Sequence, residues 1–222
     1  MKAFKITLIS VGCVLLALLL VVGGYVLYVV LQYSRIEDNL KLEIKNNDAA
    51  SKADKSAFSI MTYNIGFGAY STDFSFFMDS GTMKDDTKVH GTGSKAKDKE
   101  TVIKNTDGAI AAVTAVNPDF LFLQETDVKS TRARGVNQLE KFTSAFPSSA
   151  YVCAENFHSA YLFYLLSDPH GKTNAGIVTL SRYKLGESVR RSFPVDESFP
   201  TRFFDLDRCF SVSRVNLDGD KA

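Results

Sequence analysis

The chain has 222 residues, 45% hydrophobic and 23% charged, which is ordinary for a globular protein and long enough for one sizeable core. A formal net charge of +1 excludes an electrostatic case for a polyanion partner, so any nucleic-acid function must be argued from a site and not from overall charge. With three cysteines, one of them (Cys13) inside the apolar N-terminal run, the chain has no disulfide framework, and whether Cys153 and Cys209 pair is left open.

From Ile6 to Ser34 there is no charged residue. At about 1.5 Å per residue, such a run exceeds the roughly 30 Å hydrocarbon core of a bilayer and reads as a membrane-spanning helix. Lys2 and Lys5 precede it, whereas Arg35 is followed at once by Glu37 and Asp38, which keeps the N-terminus cytoplasmic and the rest of the chain outside. A cleaved signal peptide would have an apolar region of about 7 to 15 residues followed by a small-x-small site; this run is about twice as long and no such site follows. Cys13 in "LISVGC" does not read as a lipid-attachment site, because Ser10 stands where an aliphatic residue is preferred and the apolar run continues past it.

Residues 35–57 are polar and charged and read as a stalk, with the folded domain spanning 58–222. "FSIMTYN" alternates as a strand and stops at Asn64, before Gly66 and Gly68. From Ala69 to about Lys97 lies a long loop. Val102, Thr106, Ile110, Val113 and Val116 then fall at helical spacing, with Asp98 as cap and Asn117-Pro118 as stop. In "DFLFLQE", Phe120 to Leu123 form the continuous apolar run of a doubly covered inner strand, ending on Gln124 and Glu125. Val136, Leu139, Phe142 and Phe146 signal a second helix before Pro147, and "AYVCAEN", "AGIVTLS" and "RCFSVSRVNL" read as further strands. The order predicts a layered α/β domain, and the closing "LDGDKA" reads as a turn.

An asparagine and a glutamate, each at the C-terminal end of a strand, mark the sheet edge where α/β proteins place chemistry. Other patterns carry less: His90, His158 and His170 are scattered, and "GTGSKAKDK" lacks the spacing of a phosphate-binding loop. "TYNIGFG", "NPDFLFLQETD" and "NAGIVTLSRY" together resemble the successive signatures of the endonuclease/exonuclease/phosphatase family of metal-dependent phosphoesterases, over residues 58–217.

That resemblance implies a fold of two β-sheets flanked by helices and a site in which Glu125 is the carboxylate ligand of Mg²⁺ or Mn²⁺. Asn64 would help orient metal and scissile phosphate, and Asn174 and Arg182 would approach the substrate. Arg132 and Arg134 are further contacts, set against their reading as a solvated helix start. The family's later histidine, its Gly-Asp-x-Asn segment and its terminal Asp-His pair have no counterpart here, since "SDPH" matches that pair only superficially. The chain is therefore expected to be the N-terminal part of a longer protein, covering about half of the domain. The expected function is a membrane-anchored, extracytoplasmic, Mg²⁺-dependent phosphoesterase of a bacterial plasma membrane, acting on nucleic acid, phospholipid head groups or small phosphoesters. The alternative is a non-catalytic anchored binding module on the same scaffold.

Overall fold

The computed structural model describes residues 2–51, 57–199, 201–203 and 205–215; the "LDGDKA" turn and the last two residues of the final predicted strand lie outside them. The chain divides after Ser34 into two units. The first is the helix α1 (Lys2–Gln32), whose 31 residues are long and apolar enough to cross a membrane.

In the second unit the elements in chain order are β1 (Leu40–Lys41), β2 (Ile60–Asn64), β3 (Ser80–Thr82), β4 (Lys88–His90), α2 (Lys99–Val116), β5 (Phe120–Asp127), α3 (Gln138–Ala145), β6 (Ala150–His158), β7 (Asn174–Ser181), β8 (Leu185–Ser192) and β9 (Cys209–Val215). Four strands form the larger sheet in the order β2-β5-β7-β6, three form a second sheet in the order β1-β8-β9, and β3 and β4 make a hairpin. The mixed α/β architecture matches the expectation, and the element order explains it. β2 and β5 are parallel because α2 carries the chain back between them, whereas β6 and β7 are antiparallel neighbours joined by residues 159–173, and the chain then crosses to the second sheet at β8.

The helix α2 starts where the sequence places it, with the Thr101 N–H donating to the Asp98 carboxylate at 2.7 Å, and it ends on Asn117 in the left-handed region. Its apolar face and Phe142 of α3 cover one side of the larger sheet, burying Leu121, Leu123, Val178 and Leu180. On the other side the second sheet packs Leu42, Leu185 and Cys209 onto Ala150, Val152 and Ala154 of β6. That cover stops short of β2: Ile60 is 64% exposed and Phe122 of β5 36% exposed, so the expected double cover of the second strand is only partial. Cys153 and Cys209 are both free thiols, and burial pushes the Cys153 thiol up to about 11.

The polar run 35–57 does not stand off the domain as a stalk in its described part. β1 pairs with β8, Leu42 enters the core, and Lys45 pairs with Tyr151 through backbone bonds of 2.9 and 3.0 Å. The reason lies in β8, "LGESVRRS", whose charged residues hide its strand character from a hydrophobicity pattern. Arg190 is completely buried, and its guanidinium is spent on backbone carbonyls, Glu37 at 3.0 Å, Asp207 at 2.8 Å and Glu155 at 3.0 Å, with Ser192 Oγ at 2.6 Å. One cation thus fastens the start of the domain, the segment before β9 and the larger sheet to each other. A carbonyl cage of this kind satisfies the donors of an arginine that no carboxylate among the described residues pairs with.

Replacing Arg190 with leucine leaves those carbonyls without a donor, at a cost of about 2 kcal/mol or more. Arg190→Leu is expected to unfold at lower temperature and to be cut by trypsin within 35–51, where the wild-type chain resists. An unchanged digestion pattern would show that β1 holds without the cage.

Candidate active site

Three features of local chain chemistry build the end of the larger sheet at which β2 and β5 finish. The first is a turn after β2. The Gly66 N–H donates to Asn64 Oδ1 at 2.9 Å, and Gly66, Phe67 and Gly68 all have positive φ, 53°, 41° and 70°. A side chain on Gly66 would lie 2.5 Å from the Tyr70 ring, so glycine is required there for space as well as for φ. Gly68 is tight against Val102 and Gln138 and faces α2.

The second feature is a bulge. β5 pairs with β7 through Leu123↔Val178 and resumes at Thr126↔Gly176, so Gln124 and Glu125 together oppose Ile177. The strand therefore does not end on Gln124 and Glu125, as the sequence pattern predicts, but runs on through Asp127. Glu125 sits in the bulge with φ 53°, a conformation disfavoured for a residue with a Cβ and found where a side chain is re-aimed. The consequence is contact with the neighbouring strand: Asn64 Nδ2 donates to Glu125 Oε1 at 3.0 Å. Both ends of the Asn64 amide are engaged, and the carboxylate is held in one orientation by a neutral donor.

The third feature is a buried ion pair behind the bulge. Arg132 Nε and Nη2 donate to the two oxygens of Asp127 at 2.9 and 2.8 Å, and its guanidinium lies 4.4 Å above the Phe67 ring. Burial works against the charge on Arg132, but Asp127 beside it outweighs burial and holds its pKa above the usual value. Arg134 donates to the carbonyls of Ala96 and Lys97, each at 2.7 Å. Neither arginine starts a solvated helix; both fasten the long loop 69–97 to the segment after β5.

His170 closes the same assembly. It is 4% exposed, with Nδ1 3.0 Å from the Ser94 carbonyl and Nε2 3.1 Å from Thr173 Oγ1, so Nδ1 carries the proton and Nε2 accepts one from the threonine hydroxyl. Burial first, then the charge of Arg132, lowers its pKa below 6.5.

Tyr63, Asn64, Gly66, Tyr70, Lys104, Asn105, Gly108 and Glu125 line a cleft of about 630 Å³. Lys104 is the one cation lining it among the described residues, and the Asn105 amide donates to the Gly68 carbonyl at 2.9 Å. Tyr70 donates to Asp79 at 2.8 Å; burial and that carboxylate push its phenol above the ordinary value, so it remains a neutral wall and not a base. Sequence reasoning missed Tyr70, Lys104 and Asn105. The helical spacing identified the buried face of α2, but nothing in the spacing says which polar flank looks toward the strand ends.

The expected site residues separate. Asn64 and Glu125 are brought into contact. Asn174 begins β7 at the same sheet end, where its backbone carbonyl accepts from Val128 N–H and Ser130 Oγ, both at 2.8 Å. Arg182 is not brought there. It follows Ser181, which pairs with Phe120, and five residues of strand at ~3.3 Å each put it about 16 Å from Glu125 along the sheet. It lines a separate cleft with Ser51, Asn117 and Asp119.

For a metal, the donor chemistry discriminates. No group of three or more His, Cys, Asp or Glu able to hold an ion exists among the described residues, which argues against a zinc site. Magnesium takes one or two carboxylates and keeps waters and substrate oxygens, and one oriented carboxylate in an open cleft fits it. A model of the endonuclease/exonuclease/phosphatase family matches residues 61–216. No curated protein and no solved structure matches the chain.

Two outcomes test this assembly. Removing one partner of the buried pair, as in Arg132→Ala, is expected to cost about 3–5 kcal/mol, read by thermal unfolding. Because the folded His170 has a lowered pKa, its contribution is full above pH 6.5 and is lost as pH falls below that value. Wild-type melting temperature should drop on acidification through this range, and His170→Gln should lose that part of the drop.

Proposed function

The chain belongs to the endonuclease/exonuclease/phosphatase family, whose members act on phosphoesters. From that premise we propose a phosphoesterase-type hydrolase that needs Mg²⁺ or Mn²⁺ at Glu125 and is held at a membrane by residues 6–34, with its domain on the extracytoplasmic side. The observation that carries this reading is the 3.0 Å hydrogen bond from Asn64 at the end of β2 to Glu125 in the bulge of the parallel β5, at the cleft lined by Lys104. Nothing in the packing of the core calls for a carboxylate held there at the expense of a left-handed backbone.

Glu125 is the residue that would hold the cation, which when bound supplies charge neutralisation at the phosphoryl and leaving oxygens of a substrate. Asn64 acts through Glu125: one side of its amide is fixed by the Gly66 N–H, so the other presents the carboxylate in a constant direction. That makes Asn64 a positioning residue, with only the second lone pair of Oδ1 left to offer a metal. Lys104 provides a positive charge for a phosphate entering the cleft, and Tyr70 bounds the cleft on the other flank. Asn174, at the same sheet end, remains a candidate substrate contact. The cleft accommodates a nucleotide unit, a phospholipid head group or a small phosphoester.

Hydrolysis of bis(p-nitrophenyl) phosphate by the chain is expected to need added Mg²⁺ or Mn²⁺, to stop with EDTA, and to fall about 10²-fold or more in Glu125→Gln. Asn64→Ala should cost about 10- to 100-fold in metal affinity, measured by Mn²⁺ titration. Turnover indifferent to both EDTA and Glu125→Gln would overturn the assignment. Metal and phosphoester binding without turnover would instead favour a non-catalytic anchored module.

A further inference from the structure

The sheet end that carries Glu125 is rimmed by apolar side chains that the core does not use. Between β6 and β7 the run "YLFYLL", residues 161–166, is uncharged, and Phe163, Tyr164 and Leu166 are 49%, 58% and 88% exposed. Beside it, the 69–97 loop exposes Met78 at 73% and Met83 at 57%. The two loops form one structure: Phe77 packs on Tyr164 with ring centroids 5.0 Å apart, Lys95 pairs with Asp168 at 2.6 Å, and the Ser94 hydroxyl bonds Asp168. An exposed apolar cluster built on paired, ion-locked loops marks an interaction surface.

The course of the chain says what that surface meets. Arg35, the first residue of the domain, lies 4.0 Å from Asp207, which lies 3.9 Å from His158 at the C-terminal end of β6. Arg190 binds the Glu37 carbonyl and the Glu155 carbonyl together. The domain therefore begins at the same sheet end as the 161–166 loop, and in the sequence only residues 33 and 34 separate Arg35 from the apolar helix. A bilayer spanned by residues 6–34 would begin within a few residues of Arg35 along the chain. The hairpin tip balances Lys84 and Lys88 against Asp85 and Asp86, so its attraction to such a surface is apolar and not a matter of head-group charge.

We propose that Phe163, Tyr164 and Leu166 with Met78 and Met83 form a lipid-docking surface, which seats the Glu125 end of the domain on the bilayer and points the cleft at phosphoesters carried in or at that bilayer. The inference rests on the anchor reading of residues 6–34 and does not require the hydrolase reading.

The chain has no tryptophan, so one introduced indole reports without background. Leu166→Trp and Met78→Trp are placed in the full chain, with Val116→Trp as a control, since Val116 is 61% exposed at the end of α2 away from the cleft. Each protein is reconstituted into phosphatidylcholine vesicles. The expected result is blue-shifted emission from Leu166→Trp and Met78→Trp, most of it lost when brominated phosphatidylcholine replaces the ordinary lipid, with Val116→Trp quenched only by aqueous acrylamide. The proposal is overturned if the two loop reporters are quenched by acrylamide and ignore the brominated lipid, or if Val116→Trp responds to that lipid equally. Flotation of the same vesicles separates the readings: a chain that does not float removes the anchor and this surface with it, whereas a floating chain with wet loops removes the surface alone.

Discussion

The end of the domain that matters is organised by one buried charge. A guanidinium taken out of water must have its charge matched, and in this protein Asp127 does so for Arg132 while accepting from its Nε and Nη2. The pair can form only if β5 runs past its bulge to Asp127 and the following segment folds back over it. Phe67 must then sit under the guanidinium, which requires the left-handed turn after β2. The same turn fixes Asn64, and the same bulge aims Glu125. The candidate site is thus a consequence of how a buried arginine is accommodated, and its two principal residues inherit their rigidity from behind.

The second sheet follows the same logic with a different solution. Arg190 pairs with no carboxylate among the described residues and is caged by carbonyls of three separate segments. A hydrophobic core alone would leave β1, only two residues long, without much to hold it. The cage gives the first residues of the domain a fixed position beside β6, close to the loops around the cleft. Two buried arginines therefore set the geometry of one sheet end, one in the segment after β5 and one in β8.

The proposed metal role asks for a single oriented carboxylate and not a cluster of them. A divalent cation of the magnesium type draws much of its coordination from water and substrate, so the protein needs to place one oxygen well and not several. Glu125 holds a left-handed backbone in the bulge, and position 66 takes a glycine for space and for φ.

The sequence alone determined the helix α1, the boundaries and cap of α2, the apolar strands β5, β6 and β7, and the placing of Asn64 and Glu125 at one edge of the sheet. Each of these rests on local chemistry: unbroken apolarity, 3.6-residue spacing, a capping aspartate, and strand ends that turn polar. What only the tertiary structure decided was every feature that depends on a distant partner. The stalk became β1 because Arg190, 150 residues later, binds its carbonyls; β8 hid behind its charges because they are satisfied by segments that the pattern cannot see. Arg132 and Arg134 looked solvated until Asp127, Phe67 and the 96–97 carbonyls surrounded them. Arg182 was expected to approach the same substrate as Glu125 but lies at the other end of the sheet, because an antiparallel register carries the end of one strand to the start of its neighbour.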